Sequence, residues 1–256
     1  MSHLFLSKIG VCLMIEVNNV TKKYGKNDTF VINGISFLIE KNMICGLCGH
    51  NGAGKTTVLK MMATLYRPNS GNVVINGFDT VKNRVSVRKI IGVVFEAPTL
   101  YEQLTGEENI MYFASLFGVN KCTAKDRAKK MYQELDVDFQ DNRVSSYSKG
   151  MMQKISIIRA LITDPEIVIL DEPTSGLDIL SKYTLREYIW GLKKLGKTVV
   201  IASHVTEDID RLCDKVVIMD KGKILENSPV HRLKEKYQTE NFEKAYIQLQ
   251  KMEVVK

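Results

Sequence analysis

The chain has 256 residues, 45% of them hydrophobic, and 36 basic against 29 acidic side chains give it a net charge of +7. This composition is that of ordinary globular proteins and excludes collagenous, disordered and disulfide-stapled classes. No apolar run approaches the roughly 20 residues of a bilayer span, and the basic excess fits an anionic partner (nucleotide, nucleic acid or acidic membrane surface) without choosing among them.

The first 13 residues stand apart, with one lysine, a short apolar stretch and no small-residue cleavage pattern, so no signal peptide is expected. From Met14 the run Ile15-Glu16-Val17-Asn18-Asn19-Val20 alternates like a half-buried strand, and the working fold is expected to begin there. β-Branched runs predict further strands over 30–40, 43–49, 73–76, 90–95, 167–171, 198–203 and 216–220. Several are apolar throughout, the mark of parallel strands covered on both faces. Between about 97 and 148 helical signals take over. Thr105-Gly106-Glu107-Glu108 is a capping box ahead of an apolar face of Ile110, Phe113, Ala114 and Phe117. Thr123 reads as a second helix start, leading to Ala128, Met131, Tyr132 and Leu135. A helical insert is expected over about 97–157, and a charged helical tail over 231–256. The five cysteines (Cys12, Cys45, Cys48, Cys122, Cys213) are odd in number and scattered, as reduced thiols are. Cys45 and Cys48 have C-x-x-C spacing but no second pair to complete a zinc site, so both read as small core residues.

Gly49-His50-Asn51-Gly52-Ala53-Gly54-Lys55-Thr56 matches G-x-x-x-x-G-K-[ST], follows a predicted strand and precedes a helical pattern beginning at Thr57. Such a loop turns backbone N–H groups into a concave nest at a helix N-terminus, with the lysine reaching the phosphates and the Thr56 hydroxyl offered to Mg²⁺. The apolar strand 167–171 ends in Asp171 and Glu172, one carboxylate placed for the metal and the next for the attacking water. Ser148, before the helical run 155–161, is a candidate N-cap; its hydroxyl, the Gly150 N–H and the helix dipole form a second anion site. His204 follows the strand 198–203, where a side chain can face a γ-phosphate.

In this order the motifs resemble the nucleotide-binding subunit of ATP-binding cassette (ABC) transporters over about residues 14–230. Gly49–Thr57 resembles Walker A, residues 147–153 the signature loop, 167–172 Walker B, 175–178 the D-loop and His204 the switch histidine. The resemblance implies an α/β fold: a P-loop NTPase core with a mainly parallel sheet, an antiparallel β subdomain and the helical insert. It implies Glu172, His204 and Lys55 as catalytic residues and Thr56, Glu96 and Asp171 at the metal. ATP would be bound by Tyr24 stacking on adenine, by Gly49, His50, Asn51, Gly52, Ala53, Gly54, Lys55, Thr56 and Thr57, and by Ser148, Lys149, Gly150, Met151 and Asp178. The implied cofactors are ATP and Mg²⁺. The implied partners are a second ATPase subunit, identical or not, in a head-to-tail pair around two ATP, and membrane-spanning permease subunits, with the chain peripheral on the cytoplasmic face of the cell membrane.

The sequence departs from the commonest family pattern twice. Tyr147-Ser148-Lys149-Gly150-Met151 replaces Leu-Ser-Gly-Gly-Gln, a variant resembling the drug-, sodium- and polysaccharide-export branch, and Glu96 stands where a glutamine is usual. A soluble ABC ATPase in nucleic-acid or cluster-assembly work is the alternative. The single cassette, the short insert and the dispersed basic residues weigh against it, and no nucleic-acid partner is expected. The guanine-reading Asn-Lys-x-Asp of a GTPase is missing, since Asn120-Lys121-Cys122-Thr123 lacks the final acid.

Overall fold

The computed structural model describes residues 12–25, 29–97 and 99–254. The expected N-terminal extension therefore lies outside them except for Cys12 and Leu13.

Two sheets share one apolar layer. The first is antiparallel, in the order β2-β1-β4-β5, from β1 (Leu13–Lys23), β2 (Phe30–Glu40), β4 (Ser70–Ile75) and β5 (Phe78–Asp79). The second runs β10-β9-β3-β8-β7-β6, from β3 (Ile44–Cys48), β6 (Ile91–Val94), β7 (Ile167–Asp171), β8 (Thr198–Ser203), β9 (Lys215–Asp220) and β10 (Lys223–Pro229). β9, β3, β8, β7 and β6 are parallel, and β10 returns antiparallel along β9. The continuous apolar runs have the expected cause. In β7, Ile167 and Ile169 face the layer between the sheets while Val168 and Leu170 face the opposite, helix-packed core. In β8, Val200 and Ala202 alternate in the same way with Val199 and Ile201.

The helices are α1 (Lys55–Met62), α2 (Arg84–Ile90), α3 (Gly106–Leu116), α4 (Lys121–Glu134), α5 (Lys149–Leu161), α6 (Ile179–Lys194), α7 (Thr206–Leu212), α8 (Val230–Lys236) and α9 (Phe242–Val254). The capping box forms: Glu108 N–H donates to Thr105 Oγ1 at 3.1 Å and Thr105 N–H to Glu108 Oε2 at 2.8 Å. Two local expectations need correction. α4 starts at Lys121 rather than Thr123, because the Asn120 side chain accepts from Cys122 N–H and caps it. Phe117 is not on the buried face of α3; it closes the helix and is exposed. β5 and β10 carry no prediction. The segment 231–256 holds α9, whose Phe242, Ala245 and Leu249 are buried in the helix-packed core. Cys45 and Cys48 are buried on β3, and burial pushes both thiols up to about 12.

Candidate functional site

The parallel register brings strand ends to one crevice: Cys48 lies opposite Ser203 and Ile218, Asp171 opposite Ala202, and Val94 opposite Leu170. Ligands of open α/β sheets bind outside these carboxyl ends. The loop 49–54 leaves β3 here and enters α1, whose N-cap, Gly54, has no side chain to occupy the first-turn N–H groups. A cavity of about 170 Å³ opens there, lined by residues 50–57, Val31, Glu96 and Glu172. Lys55 is buried, and its Nζ curls back over the loop to donate to Gly49 O at 2.6 Å and His50 O at 3.3 Å.

Glu172 is buried and brings the centre together. Oε1 lies 3.7 Å from Lys55 Nζ and accepts from His204 N–H at 3.1 Å, while Oε2 lies 2.8 Å from His204 Nδ1. Asp171, one residue earlier, is also buried. Thr56 lies beside its carboxylate, and Oδ1 has no hydrogen-bond partner among the described residues. Burial raises its pKa above the usual carboxylate range; Glu172 and Glu96 add to that, while Thr56 and Lys55 oppose it. Glu96 is exposed at the cavity rim. Tyr24 sits beside Thr57, hydroxyl to hydroxyl at 3.0 Å, with its ring edge-on to Tyr66. The ring of His50 is held between Asn51 O and Asp220 Oδ1, each at 2.6 Å.

The remaining predicted site residues lie elsewhere. Ser148 caps α5 by accepting from Met151 N–H at 3.2 Å, and Ser148 and Lys149 are exposed. Gly150 neighbours Leu177 and Lys149 neighbours Gly176, so the 148–151 and 175–178 segments form one surface. Asp178 is exposed and caps α6, accepting from Ser181 N–H at 2.9 Å. None of Ser148, Lys149, Gly150, Met151 and Asp178 lines the phosphate-loop cavity.

The ABC transporter family model matches residues 32–175, more than half of the chain. The chain belongs to the ABC transporter family. The ABC transporter ATP-binding protein NatA of Bacillus subtilis is 39% identical over 89% of this chain and 94% of its own length. The doxorubicin resistance ATP-binding protein DrrA of Mycobacterium tuberculosis is 34% identical over 87% of this chain and 67% of its own. A bacterial ABC transporter cassette solved as a dimer superimposes with a TM-score of 0.78 at 25% identity, over 84% of this chain and 98% of that one. The fold is thus that of an ABC ATPase, as the motifs imply, and the chain is an ATP-binding and ATP-hydrolysing transporter subunit.

Around this ABC site the structure adds residues that motif reading missed. The β9–β10 turn lies against the phosphate loop: Gly222 N–H donates to Ala53 O at 3.1 Å, and Asn33 N–H donates to Gly222 O at 2.8 Å. Asp220-Lys221-Gly222 after an apolar run is a turn signal, and it could have announced both this hairpin and β10. Asp208, fully buried and bonded to Thr174, Ser203 and Arg186, had no comparable signal. It lies in a charged stretch that reads as a solvated helix.

Proposed function

We propose that this subunit powers an exporter from the cytoplasmic face of the cell membrane, pairing head to tail with a second ATPase subunit and driving membrane-spanning permease subunits. The working motor is read as residues 14–230, with the insert over about 97–157, and 231–256 as a C-terminal tail whose Phe242, Ala245 and Leu249 pack on it. The observation that carries the reading is the buried Glu172 carboxylate at the cavity wall, held by His204 and facing Lys55.

Glu172 is the base that takes a proton from the attacking water. His204 donates its backbone N–H to that carboxylate and sets its orientation. Lys55 holds the phosphates from the loop floor. Tyr24, beside Thr57, offers its ring to the adenine. The donor set fits Mg²⁺, since the unpartnered buried Oδ1 of Asp171 and the Thr56 hydroxyl next to it are hard oxygen ligands, with Glu96 at the rim. Mg²⁺ held by Thr56, Asp171 and Glu96 would offset phosphate charge as the bond to the leaving group breaks.

The site is incomplete within one chain, which supports the pairing. The Ser148 hydroxyl, the Gly150 N–H and the N-terminus of α5 are a second phosphate cradle turned to solvent, away from the loop cavity. Beside them Ile179, Leu180 and Tyr183 are 90%, 73% and 58% exposed, an apolar surface suited to a second subunit. A separate groove of about 300 Å³, lined among others by Leu65, Phe95, Phe113, Phe117 and Arg159, is read as the permease dock. Phe95 adjoins Glu96, so that groove and the ATP site share one loop. No helix among the described residues is long and apolar enough to cross a membrane. The export direction rests on the signature variant and on a relative named for drug resistance.

Glu172→Gln tests the assignment. ATP binding should persist while the hydrolysis rate drops about 10²–10⁴-fold, the usual worth of a positioned base. Size-exclusion chromatography with Mg-ATP should show a stable dimer. Hydrolysis at the unmodified rate removes Glu172 from the role of base.

A further inference from the structure

Glu172 occupies a left-handed backbone conformation, with φ of +50°. A side chain with a Cβ stays there only where its surroundings hold it. The sheet accounts for one side, since Glu172 N–H donates to Ala202 O at 2.8 Å. The other side leads into the loop 173–178, and the question is what fixes that loop.

The fixing point is one carboxylate. Asp208, on α7, is 0% exposed. Its Oδ2 accepts from the hydroxyl of Thr174, two residues after Glu172, and from Ser203 Oγ at 3.3 Å, one residue before His204. Ser203 Oγ in turn accepts from Val205 N–H at 3.0 Å, so both neighbours of His204 are tied to the same point. Oδ1 receives two nitrogens of Arg186, Nε at 2.8 Å and a terminal nitrogen at 2.6 Å. The arginine is bound in its turn by Glu207, 3.0 Å away. The buried charge is therefore compensated and its oxygens saturated, the condition under which such a group rigidifies its surroundings.

We infer that Asp208 is a positioning residue for hydrolysis: through Thr174 it holds the Glu172 turn, through Ser203 it holds the His204 turn, and so it sets the distance between Glu172 and His204. The inference rests on reading Glu172 as the base. Asp208 does not reach the phosphate cavity, so its effect falls on the rate of the chemical step and not on ATP affinity. Arg186 serves the carboxylate by holding it in one rotamer.

Removing Asp208 strands the buried Arg186 charge, so the test is made on the hydroxyls. Thr174→Val keeps the shape and deletes one donor; Thr174→Ser keeps the donor. Ser203→Ala deletes the donor from the other turn. Steady-state hydrolysis and fluorescent-nucleotide binding are measured on all three and on Glu172→Gln, well below the unfolding midpoint. Thr174→Val and Ser203→Ala should each lose about tenfold or more in kcat, a factor worth about 1.4 kcal/mol of barrier. KM and nucleotide affinity should stay within about twofold, and Thr174→Ser should recover most of kcat. If Glu172→Gln is inactive while Thr174→Val turns over normally, the positioning role fails and the base assignment stands. If Glu172→Gln turns over normally, the assignment beneath it fails. A Thr174→Val loss shared equally by nucleotide affinity, or not recovered by serine, also overturns the inference, because it marks a general loosening of the site.

Discussion

Replacing Gly222 by alanine probes how the phosphate loop is supported. Gly222 has φ of +75°, and a Cβ there would lie 2.3 Å from Val31 O, 2.8 Å from Val31 C and 3.1 Å from Ile32 Cα, all backbone atoms. None can rotate away, so the β9–β10 turn must lift. Lifting breaks the bonds of Gly222 N–H to Ala53 O and of Asn33 N–H to Gly222 O. Two such bonds contribute about 1 kcal/mol each, and a left-handed alanine costs roughly 1–2 kcal/mol, so the loss is about 3–4 kcal/mol. Gly77 is the matched control. It sits in the β4–β5 turn after Asn76, as Gly222 follows Lys221, with φ of +79° and open space for 4 Å around the point a Cβ would take. Gly77→Ala should cost only the conformational part, roughly 1–2 kcal/mol. Urea unfolding of both variants with unchanged m-values measures the difference, expected near ~2 kcal/mol. Nucleotide affinity should fall in Gly222→Ala, through Ala53, and not in Gly77→Ala. Equal destabilisation of the two variants refutes the reasoning, since it leaves no part for the close backbone approach.

Lys55→Ala should weaken nucleotide binding more than tenfold, as expected for a charge-assisted contact worth about 1.5–3 kcal/mol, whereas Ser148→Arg should bind ATP as a monomer yet fail to pair; loss of monomer binding in Ser148→Arg contradicts a role in the opposite site. Phe117→Glu, in the groove wall, should lower assembly with permease or transport while the isolated subunit hydrolyses ATP normally. Tyr101→Glu should do less, because Tyr101 is outside the groove, with its ring against Tyr112 and its backbone bonded to Asn109; the reverse ranking rejects this groove as the dock. Glu96→Gln should keep hydrolysis within about tenfold, and Glu96→Ala should raise the Mg²⁺ needed for half-maximal rate; superimposable Mg²⁺ titrations of the three proteins remove Glu96 from the metal.

Local chemistry carried much of this protein. Phosphate-loop residues sit next to one another in the chain, so their identity and spacing already state their geometry, and the apolar runs of β3, β7 and β8 state that both faces are covered. Helix caps at Thr105 and Ser148 are equally local, since each cap bonds within three residues. The same locality explains the errors: Asn120 and Thr123 are both capable caps three residues apart, and it is the Asn120 side chain that accepts from Cys122 N–H and starts the helix. Tertiary structure alone decided what distant residues share. Asp208 reads as one more surface acid until Thr174 and Arg186, far away in sequence, bury it. Likewise Gly222 becomes part of the phosphate loop only because β9 lies beside β3, which brings its turn beneath Ala53. Sequence pattern records what each residue prefers within a turn or two of itself; the partner that satisfies a buried charge or a backbone N–H across the sheet is chosen by strand order, which no single stretch of chain encodes.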